Sequence, residues 1–258
     1  SYTVTSGACP SSVDTAFVTI DSVSAPAIAG NDLTICENAT AISLNATFVN
    51  YGIAQWTSLT PGISIVNPAQ NNTAISGVVL GSNQLVWTST NGVCPANSDT
   101  VEIIVSSLPS TAIAGTNQNW CDTITQIQLQ GNIPQVGSGV WIPVSGSGTI
   151  SNPNSANTTV SGLQVGSAVF EWVISSGACT ASRDSVSITI NASPTLSNAG
   201  INQNYCISSN AILLNGNVPT IGTGIWSLLS GNATIDNVSQ ANSSIQVSDS
   251  GNYIFNWT

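Results

Sequence analysis

Leu85-Val86-Trp87-Thr88-Ser89-Thr90-Asn91-Gly92-Val93-Cys94 is answered 85 residues later by Phe170-Glu171-Trp172-Val173-Ile174-Ser175-Ser176-Gly177-Ala178-Cys179. Leu85 and Trp87, like Phe170 and Trp172, stand two residues apart and so face the same side of an extended chain. Asn91-Gly92 and Ser176-Gly177 then supply a turn before the cysteine. Phe255-Asn256-Trp257 begins the same stretch once more, and Tyr2 takes the slot of Trp87 ahead of Cys9.

Working outward, the 85-residue spacing holds throughout the chain. Cys9, Cys94 and Cys179 obey it, as do Cys36, Cys121 and Cys206. So do Trp56, Trp141 and Trp226, and Trp87, Trp172 and Trp257. A fixed period without insertions is the mark of a tandem array. The period divides the chain into the tail of one copy (1–22), two whole copies (23–107 and 108–192) and a shorter third (193–258). Ser1 and Thr258 both fall inside strand patterns, so the expectation is a stretch of a longer array. Short linkers join the copies at Ser22–Pro26, Ser106–Pro109 and Asn191–Pro194, and their prolines predict a semi-rigid string.

Within a copy, period-2 alternation recurs. Ile42 and Leu44 match Ile127 and Leu129, then Ile212 and Leu214. Val101, Ile103 and Val105 match Val186, Ile188 and Ile190, and Ala16, Val18 and Ile20. Turn signals at Asn50-Tyr51-Gly52, Pro61-Gly62, Ser76-Gly77 and Asn91-Gly92 separate about seven strands, and no helical period intervenes. The predicted fold is all-β: a tandem array of immunoglobulin-like β-sandwich domains of about 85 residues each. Trp56, Trp141 and Trp226, on the predicted third strand, are core candidates together with Trp87, Trp172 and Trp257.

Composition removes whole classes of chemistry. The 258 residues contain no His and no Met, and Arg183 is the single basic residue. Without His there is no Ser-His-Asp or Cys-His nucleophile and no His-ligated zinc. Without Lys there is no Schiff base, no Walker lysine and no Lys–Asn isopeptide cross-link. A net charge of −10 argues against nucleic acid or an anionic membrane as partner. Charged residues are only 5% of the chain while 41% are apolar, a balance that disfavours disorder. No apolar run approaches the 18 or so residues that span a bilayer. No signal peptide is visible.

Six cysteines without zinc-type spacing read as disulfides and an oxidising compartment. Pairing within a copy would join Cys36 to Cys94 and Cys121 to Cys179. Pairing across a linker would join Cys9 to Cys36, Cys94 to Cys121 and Cys179 to Cys206. The within-copy bridge is preferred, because a domain that closes its own loop folds independently of its neighbours. In immunoglobulin topology, however, the turns bearing Cys36 and Cys94 sit at opposite poles, and a bridge needs Cα atoms about 4.4–6.8 Å apart. Both pairings stay open on the sequence.

Each copy carries Ala-Gly, a cysteine, Gly-x-Gly-x-Trp, Phe-x-Trp, Ser/Asn-Gly-x-Cys and Asp-Ser/Thr-Val. These stand here as Ala114-Gly115, Cys121, Gly137-Ser138-Gly139-Val140-Trp141, Phe170-Glu171-Trp172, Ser176-Gly177-Ala178-Cys179 and Asp184-Ser185-Val186. The arrangement resembles the tandem immunoglobulin-like or PKD-like repeats of giant Bacteroidota cell-surface proteins, including gliding-motility adhesins and filamentous appendages. The first whole copy departs from it: Gly52-Ile53-Ala54-Gln55-Trp56 lacks the second glycine, and Leu85 replaces Phe. The resemblance implies type IX secretion, an extracellular cell-surface location, and a role in attachment or filament building. It also implies a candidate O-glycosylation signal, Asp-Ser/Thr-apolar. That signal would place sugar on Thr15, Thr100 and Ser185, with Ser22 and Thr123 as further candidates.

The bland reading of Asp14, Asp99 and Asp184 is a turn-forming carboxylate that accepts local backbone N–H groups. Asp32 and Glu37 are the candidate calcium ligands, but their aligned residues are Asn117 and Asp122, then Asn202 and Ile207, and no EF-hand spacing appears. No metal, catalytic or cofactor-binding residue is therefore assigned, and no cofactor is expected. Trp120, which shares a slot with Ile35 and Tyr205, is the candidate sugar platform. The Gly-x-Gly-x-Trp glycines mark a turn or bulge, since no helix follows to make a dinucleotide loop. Three functions compete. The leading one is a stalk or filament segment that holds a distal binding region, its ligand unknown, away from the cell. Its partners would be neighbouring repeats and other copies of itself, with no direct membrane insertion. The second is an array of weak glycan-binding modules acting by avidity. The third, a glycosidase with paired carboxylates, lacks any recurring acidic pair.

Overall fold

The computed structural model describes residues 1–206 and 212–258, and every regular element among them is a β-strand. Ile207, in the slot compared with Glu37, lies outside the described residues. The leading tail contributes β1 (Tyr2–Val4) and β2 (Ser12–Asp14), which pair antiparallel. The first whole copy contains β3 (Leu33–Cys36), β4 (Ile42–Asn45), β5 (Ile53–Ser58), β6 (Ser64–Ile65), β7 (Asn72–Ser76), β8 (Gly81–Thr90) and β9 (Asn97–Ser106). The second repeats the set as β10 (Gln118–Cys121), β11 (Gln126–Gln130), β12 (Ser138–Ser145), β13 (Thr149–Ile150), β14 (Asn157–Ser161), β15 (Gly166–Ser175) and β16 (Ser182–Asn191). The third has β17 (Ile212–Leu213), β18 (Trp226–Ser230), β19 (Ala233–Ile235), β20 (Ser244–Val247) and β21 (Ile254–Trp257).

Each whole copy is a two-sheet sandwich of seven strands, as the alternation predicts. One sheet runs β3-β9-β8-β5 and its equivalent β10-β16-β15-β12; the other runs β4-β7-β6 and β11-β14-β13. The first strand of a copy pairs parallel with the last, Cys36 opposite Ser106 and Cys121 opposite Asn191, and the remaining pairs are antiparallel. This is immunoglobulin-like topology. The described residues gather into two compact units. One comprises Ser1–Ala112, Ile133–Val140 and Val173–Arg183; the other comprises Ile113–Asn132, Trp141–Trp172 and Asp184–Thr258.

The inward face of each strand builds the core. On β9, Val101, Ile103 and Val105 are 2%, 0% and 5% exposed. Trp56 and Trp87 face each other across β5 and β8, with ring centroids 5.1 Å apart. Trp141–Trp172 and Trp226–Trp257 repeat that contact at 5.1 and 5.0 Å. Such a tilted aromatic pair adds about 0.5–1.5 kcal/mol beyond its buried area. The mid-copy indoles each donate to a carbonyl fifteen residues on: Trp56 to Asn71 (3.3 Å), Trp141 to Ala156 (3.1 Å) and Trp226 to Ala241 (3.0 Å).

The second tryptophan of each pair behaves differently from copy to copy. Trp172 Nε1 donates to the Asn132 carbonyl at 3.2 Å and Trp257 Nε1 to that of Asn217 at 3.1 Å. Trp87 Nε1 is buried with no partner. The slot beside this ring also differs between the copies. A Cβ on Gly131 would sit 3.0 Å from the Trp172 ring, and one on Gly216 would sit 3.2 Å from that of Trp257. The first copy has Ala46 in that slot, 4% exposed.

The first glycine of the Gly-x-Gly-x-Trp element has φ near +90° in the later copies, +91° at Gly137 and +88° at Gly222, and +78° at Gly52. A Cβ on Gly137 would lie 2.4 Å from the Ser175 carbonyl oxygen. Only glycine takes this turn into the tryptophan strand without strain.

Candidate functional site: the disulfide-closed joint

Cys36 bonds to Cys179, with Cα atoms 4.7 Å apart and a sequence separation of 143. Neither pairing expected from the sequence occurs at Cys36: its partner is not Cys94, nor Cys9. The bridge runs from the early cysteine of one copy to the late cysteine of the next. Parallel pairing of β3 with β9 brings Cys36 to the end of the sandwich where the chain leaves it, while Cys94, in the β8–β9 turn, lies at the opposite end. The corresponding β15–β16 turn, with Cys179 in it, meets the outgoing chain at Ser106. Cys121–Cys179 is excluded for the same reason, since Cys179 is committed to Cys36.

The joint is built to hold these groups in place. Glu37 N donates to the Ser106 carbonyl at 2.9 Å, and Leu108 N donates to Glu37 Oε1 at 2.7 Å, so the linker folds back along β3. On the other side, Cys179 N donates to Ser176 O at 3.0 Å, closing the turn. Cys179 Sγ lies 3.4 Å from the Ser106 carbonyl oxygen and is 8% exposed. Gly177 has φ +48°, and a Cβ there would lie 1.9 Å from Ser106 Oγ, so this approach requires glycine. The linker continues into contact with the following copy. Gln135 N and Val136 N donate to Ser110 Oγ at 3.0 and 2.9 Å, and Ala112 N donates to Ser182 Oγ at 2.9 Å. Hydrogen bonds thus tie this stretch to both sandwiches, Leu108 to the preceding one and Ser110 and Ala112 to the following one.

The preceding joint repeats this geometry. Gly92 stands against Asp21 as Gly177 does against Ser106, a Cβ lying 1.8 Å from Asp21 Oδ2. Cys94 Sγ is 3.6 Å from the Asp21 carbonyl oxygen. Val93 N donates to Asp21 Oδ2 at 3.0 Å, and Asn91 Nδ2 donates to the Ser22 carbonyl at 2.9 Å. At the third joint, Ser193 Oγ donates to Asp122 Oδ1 and lies 3.3 Å from Cys121 Sγ. The Ser193 hydroxyl holds the Asp122 carboxyl below its ordinary value.

The remaining candidates are placed as follows. Asp99 Oδ2 accepts from Ala29 N at 2.8 Å, and Asp184 Oδ2 accepts from Ala114 N at 2.7 Å. The recurring aspartate is therefore a clasp between the last strand and the segment that opens the same copy, 70 residues earlier; only Asp14 bonds locally, to Thr15 N at 2.8 Å. The local turn expected for Asp99 and Asp184 is corrected accordingly. Sequence reasoning missed the clasp because its two halves lie far apart in the chain. Thr15, Thr100, Ser185, Ser22 and Thr123 are all exposed. Asp32 Oδ1 accepts from Glu102 N at 2.8 Å, and its counterpart Asn117 Oδ1 accepts from Ser187 N at the same distance. A neutral amide performs the same task there, so the slot needs an acceptor rather than a charge. Among the described residues no group of three His, Cys, Asp or Glu side chains could hold a metal ion. No described helix is long and apolar enough to cross a membrane. Trp120 is 44% exposed and donates to Gln118 Oε1 at 2.9 Å; Tyr205, 49% exposed, donates likewise to Gln203.

No protein-family profile matches the sequence. No curated protein matches it either. Among solved structures, the chain is similar to three immunoglobulin domains of titin (I67–I69, an E-to-A variant). The identity is 12% over 91% of this chain and 94% of that one, with a TM-score of 0.49. It is similar to murine CEACAM1b at 11% identity over 64% of this chain and 99% of that one, with a TM-score of 0.45. It is also similar to the PKD domain of KIAA 1837 protein at 24% identity over 36% of this chain and 93% of that one, with a TM-score of 0.29.

Proposed function

We propose that the chain is a tension-carrying stalk or filament segment of a large secreted cell-surface adhesin or appendage. Its domains are the repeats at 23–107, 108–192 and 193–258, preceded by the end of another at 1–22. The reading takes the cell-surface location, the type IX export route and the Bacteroidota origin from the resemblance in its motifs. The observation that carries it is the Cys36–Cys179 bridge, which ties consecutive copies together at a joint whose linker is already hydrogen-bonded on both sides. Such a joint suits a part that must keep its reach and transmit force. Function then lies in folding and spacing, not in chemistry, and the distal region would contact the ligand. The exposed hydroxyls at Thr15, Thr100, Ser185, Ser22 and Thr123 fit surface glycosylation. A second reading, multivalent glycan binding, is favoured by the half-exposed Trp120 and Tyr205. Ile35 in their slot would deprive the first copy of the same contact.

Single-molecule pulling between the two ends tests the leading reading. The bridge shields the 143 residues of separation from extension. At about 3.3–3.6 Å per residue, that hides about 470–510 Å of chain until a reductant is added. Release of the whole contour length under oxidising conditions would remove the support for a stapled, tension-carrying segment.

A further inference from the structure

We infer that the second copy carries a single binding site for a neutral oligosaccharide, built on Trp120 and a row of glutamines that the other copies lack. The inference rests on the second reading above in taking Trp120 as a sugar platform, and narrows that reading from every copy to one. Gln126, Gln128 and Gln130 alternate along β11 with the buried Ile127 and Leu129, so their amides stand on the outer face of the strand. Thr159 lies opposite Gln128 on β14 and shares that face. β10, which carries Gln118 and the half-exposed Trp120, is the edge strand of the other sheet. Between these two edges lies an open groove of about 470 Å³ with no charged side chain in its lining. That volume lies within the usual range of small-ligand sites.

The indole is anchored. Trp120 Nε1 donates to Gln118 Oε1 at 2.9 Å, and Gln118 Nε2 donates in turn to the Gln128 carbonyl at 2.9 Å, a relay that crosses from one sheet to the other. A ring held in this way has little side-chain entropy left to lose when a ligand stacks on it. The opening does not depend on a neighbouring copy. Trp120 and the joint cysteine Cys121 are successive residues of a strand and point to opposite sides. In the first copy, where Cys179 closes the joint, the equivalent Ile35 is still part-exposed at the margin of the core.

The period isolates what is special here. Where the second copy has Gln118, Trp120, Gln126, Gln128 and Gln130, the first has Leu33, Ile35, Ala41, Ser43 and Asn45. The third keeps Gln203 and Tyr205 but has Leu213 and Asn215 in place of Gln128 and Gln130. The core slots between them stay apolar, Ile42 and Leu44 matching Ile127 and Leu129. The differences thus gather on one surface of one copy. Its chemistry selects the ligand. An indole face is a flat apolar platform for the C–H-bearing face of a pyranose ring. Each amide donates two N–H groups and accepts at its oxygen, which answers sugar hydroxyls that are donors and acceptors together. Three amides at alternate positions of a strand span about 13 Å, more than one sugar ring. An uncharged groove in a chain of net charge −10 disfavours acidic sugars.

The test is a titration of the 258-residue chain, followed through the indole N–H signals of its seven tryptophans in proton–nitrogen NMR spectra. The probes are cellohexaose, laminarihexaose and mannohexaose, with hexagalacturonate as the acidic comparison. At least one neutral hexasaccharide should shift the Trp120 signal and the side-chain amides of Gln126 and Gln128 saturably, leaving the six core indoles in place. Hexagalacturonate should shift none of them. Trp120→Ile with Gln128→Ser installs the residues of the first copy, so the sandwich should keep its core signals while sugar binding falls at least about tenfold. A Trp120 signal unmoved by all three neutral sugars overturns the inference. So does undiminished binding in the double variant, or equal binding of hexagalacturonate. Sugar bound elsewhere on the chain with the Trp120 signal unmoved overturns this site but leaves the multivalent reading standing. None of these outcomes bears on the pulling experiment, which concerns the Cys36–Cys179 bridge alone.

Discussion

Replacing Trp172 by Phe should cost far more than replacing Trp87 by Phe, although both indoles are 1% exposed and both face a second tryptophan. The ring loss is the same at the two sites and leaves a similar small cavity, worth about 1–2 kcal/mol. The polar terms have opposite signs. Trp172→Phe removes the donor to the Asn132 carbonyl (3.2 Å), a loss of about 1 kcal/mol or more once that acceptor is left unpaired. Trp87→Phe removes a buried N–H that has no partner, and so relieves a desolvation cost of about 1–3 kcal/mol. The two substitutions should differ by about 2 kcal/mol, roughly thirtyfold in a local opening equilibrium. Native-state hydrogen exchange reads each sandwich separately. Amides of β15 should exchange much faster in Trp172→Phe, and those of β8 should change little in Trp87→Phe. Equal acceleration at the two sites would refute the assignment of the Trp87 nitrogen as a buried donor without a partner.

Three further outcomes follow from the same structure. Reduction of Cys36–Cys179, or its replacement by serines, removes a closed loop of 143 residues, worth about 5 kcal/mol where both copies unfold together; guanidinium titration with and without reductant measures it. Gly137→Ala should cost about 2 kcal/mol or more, because φ is +91° and the new Cβ meets the Ser175 carbonyl, whereas Gly162→Ala, at φ +71° with nothing within 4 Å, should cost about half as much in the same titration. The Asp122 carboxyl is depressed in the folded chain, so its small contribution is present above the ordinary carboxylate value and is lost as pH falls through the lowered one. Carbon-detected titration should show this, and Ser193→Ala should bring the carboxyl back toward its ordinary value.

Alternation and a constant period were enough to read the fold class, because both report on which side of a pleated strand a residue faces, and that is a local property. The strands of the Val101, Ile103 and Val105 type show it most plainly: every second residue is apolar, and the same slots recur at 186, 188 and 190. The turn glycine at 137 is local in the same sense, since a positive φ announces itself as a glycine next to a strand. Ala46 standing where Gly131 and Gly216 stand is visible in the sequence, but that Trp87 lacks the bond its counterparts make shows only in the structure.

The pairing of Cys36 with Cys179 and the clasps from Asp99 to Ala29 and from Asp184 to Ala114 were not legible in the sequence. Their partners are 143 and 70 residues apart, and no pattern along the chain distinguishes one distant cysteine or N–H from another. The sequence by itself determined that the chain is an array of sandwiches with equivalent cysteines in every copy. Which equivalent meets which was decided only when β3 lay parallel to β9. That pairing places Cys36 where the chain departs and Cys94 at the other end, so the nearest thiol belongs to the next copy.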